Sequence, residues 1–171
     1  DLNNFGLLNN DPVELCNNIT RTSSLTEAVQ HADYVQENIS ESVEAKRAIY
    51  KKLDQLAKNS CILASSTSTI QTSILSKGLN GKSRCIVAHP VNPPHLIPLV
   101  EISPASFTDK SVVQKTIDLQ KSINQKPILI NKEIQGFVLN RLQAALLLES
   151  WELVKAGYIS VQDLDQTIKD G

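Results

Sequence analysis

A histidine and a glutamate twelve residues apart are the pair with the clearest potential for chemistry in this sequence. His89 follows the apolar run RCIVA and opens the proline-rich loop HPVNPPHLIP, whereas Glu101 lies inside the apolar segment LVEI. A carboxylate among apolar residues is costly unless it is paired, and a histidine is a natural partner. The pair predicts a dyad in which Glu101 orients the ring and His89 accepts a proton. From residue types alone, a purely structural histidine remains the alternative.

Two further polar stretches could contribute to the same site. The run SSTST at 65–69 follows an apolar segment and precedes a helical pattern, so its amide and hydroxyl groups should lie where anions and polar ligand atoms bind readily. Asn140 and Arg141 open a long apolar segment. Either stretch could instead be a capping run or a solvent-facing one.

The elements that must position these residues alternate along the chain. Apolar runs typical of buried strands alternate with amphipathic patterns typical of helices, which predicts an α/β fold with a mainly parallel sheet covered by helices. His89 would then lie at the carboxyl edge, where open α/β sheets bind ligands. For residues 1–20 we predict a loop or a short helical turn around Asp11–Asn17. Ser40 is the predicted N-cap of the helix over 41–58. The predicted strands cover 34–39, 61–65, 84–88, 99–102 and 126–130, and the other helices of this part cover 25–32, 70–78 and 111–123.

The alternation of strand and helix patterns ends after Asn131. The segment at 136–157 is apolar on more than one stripe, which predicts a long helix buried against other helices or a second subunit. Ser160 is a suitable N-cap for a further helix. We therefore place a domain boundary near residue 132, which gives units 1–131 and 132–171.

Composition argues against several classes of protein. The net charge is -1 and charged residues make up 20%, so nothing indicates binding to nucleic acid or a membrane surface. The three cysteines, Cys16, Cys61 and Cys85, lie far apart, which argues against a metal site and predicts reduced thiols in the core. Reduced thiols favour a cytoplasmic protein.

Three segments, in this order and at these spacings, closely resemble the 3-hydroxyacyl-CoA dehydrogenase family. They are LASSTSTI, AHPVNPPHLIPLVEI and KEIQGFVLNRLQAALLLESWELVKAG. The resemblance covers residues 24–171. It implies the second half of a Rossmann-type nucleotide-binding domain, followed by the start of an all-helical C-terminal domain, with NAD as the cofactor.

The resemblance also implies the catalytic residues. The family's catalytic histidine falls on His89, its paired glutamate on Glu101, the serine beside the substrate hydroxyl on Ser68 and the active-site asparagine on Asn140. In the implied reaction His89 takes the hydroxyl proton while a hydride passes to the nicotinamide, and Ser68 and Asn140 hold the oxygen.

On the cofactor side, the family's glutamate near the nicotinamide falls on Glu37. Ser66 stands where the acyl-CoA enzymes usually have an asparagine, so this contact departs from the family pattern. The family pattern also implies a homodimer.

The loop at the histidine bears on the substrate. Acyl-CoA members typically read H-F-F-N-P, whereas HPVNPP resembles the lambda-crystallin branch, which is similar to L-gulonate 3-dehydrogenase. This favours oxidation of the 3-hydroxyl of a small free 3-hydroxy acid such as L-gulonate. A 3-hydroxyacyl-CoA substrate and a non-catalytic, crystallin-like structural role are the alternatives.

The sequence contains no G-x-G-x-x-G turn for the pyrophosphate of a dinucleotide. We therefore expect the first βαβ half of the nucleotide domain to precede residue 1 and the helical domain to continue past Gly171. On this expectation the isolated 171-residue chain is inactive and binds NADH poorly. Titration of NADH fluorescence with the isolated chain measures this, and a micromolar dissociation constant would contradict the expectation.

Overall fold

The computed structural model describes residues 11–171 together with residues 3, 6 and 8. Its centre is one five-stranded sheet whose spatial order equals the chain order, β1-β2-β3-β4-β5. The strands are β1 (Tyr34–Glu37), β2 (Ile62–Ser65), β3 (Cys85–Pro90), β4 (Leu99–Ser103) and β5 (Lys126–Leu129). The helices are α1 (Pro12–Asn17), α2 (Leu25–Val29), α3 (Val43–Leu56), α4 (Thr72–Leu75), α5 (Lys110–Ser122), α6 (Leu139–Lys155) and α7 (Val161–Asp170).

The alternation of strands and helices confirms the predicted α/β class. The short helical turn before Asn18 is also as predicted, with Asp11 as its side-chain cap. The loop predicted ahead of it lies outside the described residues, apart from residues 3, 6 and 8. Among the described helices, none is long and apolar enough to cross a membrane.

The sheet is mixed rather than wholly parallel. Strands β1, β2 and β3 pair in parallel, and so do β4 and β5, but β3 and β4 are antiparallel. The loop 91–98 between them is too short for a parallel crossover, which needs about a dozen residues or more. The chain therefore turns back on itself, and the register places His89 directly opposite Glu101.

Both faces of the sheet are covered by helices. Successive side chains of a strand point to opposite faces, so Leu63 packs with Tyr50 of α3, whereas its neighbour Ala64 packs with Val112 of α5. A sheet buried on both faces explains why its strands read as continuous apolar runs.

Two local predictions need correction. The N-cap of α3 is Ser42, not Ser40, because the Ser42 hydroxyl accepts from the Ala45 amide at 3.3 Å. The helix predicted over 70–78 is shorter in the structure, where α4 spans only Thr72–Leu75. Gly78 follows it with a left-handed φ of 83°. The cap predicted at Ser160 is confirmed, since its hydroxyl accepts from the Asp163 amide at 3.1 Å.

The cysteine prediction holds for two of the three residues. All three are free thiols, and Cys61 and Cys85 are buried in the sheet. Burial raises the pKa of Cys85 to about 12, which makes its thiol unreactive at neutral pH. Cys16 lies on the exposed helix α1, so its assignment to the core is wrong.

Helix α6 differs most from its prediction. It is shorter than the predicted segment 136–157, and none of its residues is buried in this chain. Helix α7 packs beside α6, but most of the apolar surface of α6 remains exposed. The prediction that this helix is buried against other helices of the same chain is therefore wrong. The exposed large side chains of α6 are Leu142, Leu146, Leu147, Leu148 and Trp151.

Candidate active site

The histidine and the glutamate singled out in the sequence lie side by side. His89 Nδ1 is 3.0 Å from Glu101 Oε2. Glu101 is completely buried and His89 is 6% exposed. An ionised carboxylate can only accept hydrogen bonds, so the proton of a neutral ring sits on Nδ1 and the lone pair is left on Nε2. The arrangement therefore presents a nitrogen able to accept a proton.

The second oxygen of Glu101 is bound by the start of α6. Its Oε1 accepts from the backbone amides of Val138 at 2.9 Å and Leu139 at 3.0 Å. These amides belong to the first turn of a helix, where they have no intrahelical partners and carry a partial positive charge. One buried carboxylate thus joins His89 to the helix that carries Asn140.

The structure also brings Asn140 and Ser68 together. Asn140 Nδ2 donates to the backbone carbonyl oxygen of Ser68 at 2.8 Å, and both residues are half-buried. Within the described residues the Ser68 hydroxyl has no hydrogen-bond partner, so it is open to a ligand. Hydrogen bonds through the start of α6 thus link four residues from two strands, a loop and a helix.

The loop that carries Ser68 is held by a glutamate that the sequence analysis missed. Glu41 Oε1 accepts from the backbone amides of Ser68 at 3.0 Å and Thr69 at 3.1 Å, and from the Thr67 hydroxyl at 2.5 Å. The expectation of an open anion site on these amides is therefore wrong, because a carboxylate of the chain itself fills it. The following helix, α4, has only four residues and adds little dipole.

Glu37 lies at the end of β1, but its carboxylate is enclosed. It binds Lys46 Nζ at 2.9 and 3.1 Å, the Ser65 hydroxyl at 2.6 Å and the Ile39 amide at 2.6 Å. Only 2% of its side chain is exposed, compared with 40% for Glu41. Of the two glutamates that follow β1, Glu41 is the one that faces outward.

Ser66 braces the same edge from β2. Its hydroxyl donates to the backbone oxygen of Glu37 at 3.1 Å, and its amide donates to the same oxygen at 2.9 Å. The Ser66 hydroxyl is thus engaged inside the protein.

Lys46 lies in α3, and its side chain is only 1% exposed. A buried ammonium group needs charged or hydrogen-bonding partners. Its Nζ finds them in Glu37, in Glu41 Oε2 at 3.6 Å and in the Ile39 carbonyl oxygen at 3.1 Å. Helical patterning counts a lysine as polar, so this burial was not visible in the sequence.

The pKa of Glu41 reflects its contacts. Burial by itself raises it, but hydrogen bonds from Thr67 and Thr69, together with the nearby Lys46 charge, outweigh burial and hold the pKa below its ordinary value of 4.5. The ionised form of Glu41 is therefore the one that the folded loop stabilises.

Comparisons with known proteins found relatives that match most of this chain. Residues 2–134 match the sequence model described as 3-hydroxyacyl-CoA dehydrogenase, NAD binding domain, and residues 136–171 match that described as its C-terminal domain. The lambda-crystallin homolog of Rattus norvegicus is 44% identical over 153 residues, which are 90% of this chain and 48% of that protein. An L-carnitine dehydrogenase of Oceanobacillus iheyensis is 40% identical over 153 residues, 90% of this chain and 50% of that protein. The chain thus spans about half the length of the curated relatives it matches.

Solved structures show the same fold. The 5-formyl-3-hydroxy-2-methylpyridine 4-carboxylic acid 5-dehydrogenase, described as an NAD+-dependent dismutase, is 36% identical with a TM-score of 0.82, over 88% of this chain and 48% of that one. A 3-hydroxyacyl-CoA dehydrogenase from Archaeoglobus fulgidus is 29% identical with a TM-score of 0.83, over 94% of this chain and 54% of that one. These comparisons confirm three predictions. They are the Rossmann-type nucleotide-binding fold followed by helices, the lambda-crystallin branch, and NAD as the cofactor of the family.

The lowered pKa of Glu41 predicts a pH-dependent contribution to stability. The unfolded chain binds the proton more readily than the folded one, so the contribution is complete above pH 4.5 and is lost as the pH falls through the lower, folded value. Urea unfolding of the native protein and Glu41→Gln across this range measures it. We expect the difference in the free energy of unfolding between the native protein and Glu41→Gln to decrease as the pH falls.

The matched control is Glu149→Gln, which removes the same charge from the exposed surface of α6. It should change the free energy of unfolding little at any pH. A Glu41→Gln difference that stays constant from neutral pH into the acid range would contradict the assignment.

Proposed function

Because the chain belongs to the 3-hydroxyacyl-CoA dehydrogenase family, we propose that the protein containing it oxidises the 3-hydroxyl group of a free 3-hydroxy acid such as L-gulonate. The observation that carries this proposal is the cluster of His89, Glu101, Ser68 and Asn140 at one edge of the sheet. The proposal divides the chain into a partial nucleotide-binding unit, 1–131, and the beginning of a helical domain, 132–171.

In this proposal each residue of the cluster has one role. His89 Nε2 accepts the proton of the substrate hydroxyl, and the buried carboxylate of Glu101 stabilises the imidazolium that forms. The Ser68 hydroxyl and the Asn140 amide hold the substrate oxygen in line with Nε2. When bound, NAD supplies the acceptor for the hydride.

The residues at the carboxyl ends of β1 and β2 fit such a cofactor. Glu41 presents a partly exposed carboxylate beside the Ser68 loop, and a carboxylate suits the hydroxyl or amide donors of a nucleotide. Glu37, with its carboxylate enclosed, acts on this site through Lys46. Ser66 holds the end of β1 in register. In this proposal Glu41 takes the direct contact that the sequence analysis gave to Glu37.

The choice of a free acid rests on the loop after His89 and on the named relatives. The loop reads HPVNPP, as in the lambda-crystallin branch. L-carnitine, named as the substrate of one relative, is itself a free 3-hydroxy acid. A second candidate is a 3-hydroxyacyl-CoA thioester, favoured by a Gibberella moniliformis 3-hydroxyacyl-CoA dehydrogenase that is 36% identical over 92% of this chain. We further propose that the open apolar face of α6 serves a homodimer.

Replacement of the proposed base tests the function directly. In the full-length protein, His89→Gln should lower NAD-dependent oxidation of L-gulonate by about 10²- to 10⁴-fold, because the substrate proton then has no acceptor. The readout is NADH absorbance with L-gulonate and with a short 3-hydroxyacyl-CoA. His95→Gln is the matched control, since His95 lies exposed in the same loop and should leave the rate unchanged.

Each outcome separates the candidates. Gulonate turnover that collapses in His89→Gln but not in His95→Gln supports the free-acid proposal. Turnover of the thioester alone would support the second candidate function, oxidation of a 3-hydroxyacyl-CoA. If the native protein turns over neither substrate, the result favours the non-catalytic, crystallin-like structural role.

A further inference from the structure

Phe137 has an unusual backbone for a bulky residue. Its φ is 49°, in the left-handed region, directly after Gly136 at 74°. A bulky side chain is unfavourable in this region, and residues held there cluster at functional sites. The Phe137 side chain is completely buried. Its cost is offset by a cluster of apolar side chains around it, formed by Ile70, Leu75, Val87 and Ile130.

The left-handed turn has two consequences for the dyad. It aims the next two amides, Val138 and Leu139, at Glu101 Oε1. It also places the Phe137 ring against the His89 ring, with centroids 5.4 Å apart and the planes tilted by 43°. Tilted aromatic contacts at this separation are favourable. The same residue therefore touches the proposed base and shapes the helix start that holds its partner.

A single hydrogen bond does not fix an imidazole in all directions. The contact between Nδ1 and Glu101 holds one edge of the His89 ring but allows the plane to tilt about that bond. The Phe137 ring provides the second constraint. We propose that Phe137 is a positioning residue that sets the plane of His89, so that Nε2 points at the substrate hydroxyl. This inference rests on the proposed role of His89 as the base.

The test compares two variants of the same apolar cluster in the full-length protein. Phe137→Leu removes the ring but keeps an apolar side chain, whereas Leu75→Ala opens a cavity in the same cluster. Phe137→Leu should lower kcat about 10- to 100-fold with KM for the hydroxy acid within a few-fold, because misplaced catalytic groups cost rate rather than binding. Leu75→Ala should lose stability while the folded enzyme keeps its kcat.

A spectroscopic readout separates positioning from general loosening. With ¹⁵N-labelled histidine, and ring signals assigned by His89→Gln, Phe137→Leu should shift and broaden the His89 ring nitrogens, and Leu75→Ala should not. Phe137→Met, whose unbranched and flexible side chain adapts to irregular gaps, replaces the leucine variant if that variant does not fold.

The outcomes are distinct from those of the proposed function. A kcat for Phe137→Leu equal to that of Leu75→Ala, with an unchanged His89 signal, would overturn the positioning role while His89→Gln still inactivates. Retained activity in His89→Gln would instead overturn the proposed function itself.

Discussion

The buried carboxylate of Glu101 is the constraint on which the rest of the site depends. A carboxylate without contact with water is stable only if its oxygens accept hydrogen bonds from suitable donors. Here the donors are His89 on one oxygen and the first amides of α6 on the other. Satisfying this one group therefore fixes His89 on β3 and the start of the helix that carries Asn140. The antiparallel turn between β3 and β4 makes this possible, because it places His89 and Glu101 opposite each other.

A second buried charge organises the other side of the site in the same manner. Lys46 is surrounded by Glu37 and Glu41, and Glu41 in turn holds the amides of the loop that carries Ser68. The two systems meet where Asn140 donates to the Ser68 carbonyl oxygen. The site is thus assembled from polar groups that satisfy one another.

Features that depend on short-range pattern could be predicted from the sequence. Apolar runs and helical periodicity predicted the strands and helices, and Glu101 inside LVEI indicated a buried pair. Other features depend on long-range contacts that no pattern records. Lys46 and Glu41 have ordinary positions for charged residues near a helix start, and only the fold shows that they close on the Ser68 loop. The apolar length of α6 predicted burial, but in the described part of this chain α7 packs beside that helix without burying any of its residues.

The Glu101 carboxylate has two separable duties, and a pair of substitutions at this position tests that claim most directly. Glu101→Gln keeps an oxygen for the Val138 and Leu139 amides, but its NH₂ group donates to His89 and forces the wrong tautomer. Glu101→Ala removes both contacts. We predict that the glutamine variant of the full-length protein unfolds in urea near the native midpoint while kcat/KM falls about 10⁴-fold, as a reversed tautomer requires. The alanine variant should lose activity and also about 1–3 kcal/mol for each amide left unpaired. A glutamine variant that is as unstable as the alanine variant, or that retains native activity, would contradict this division of duties.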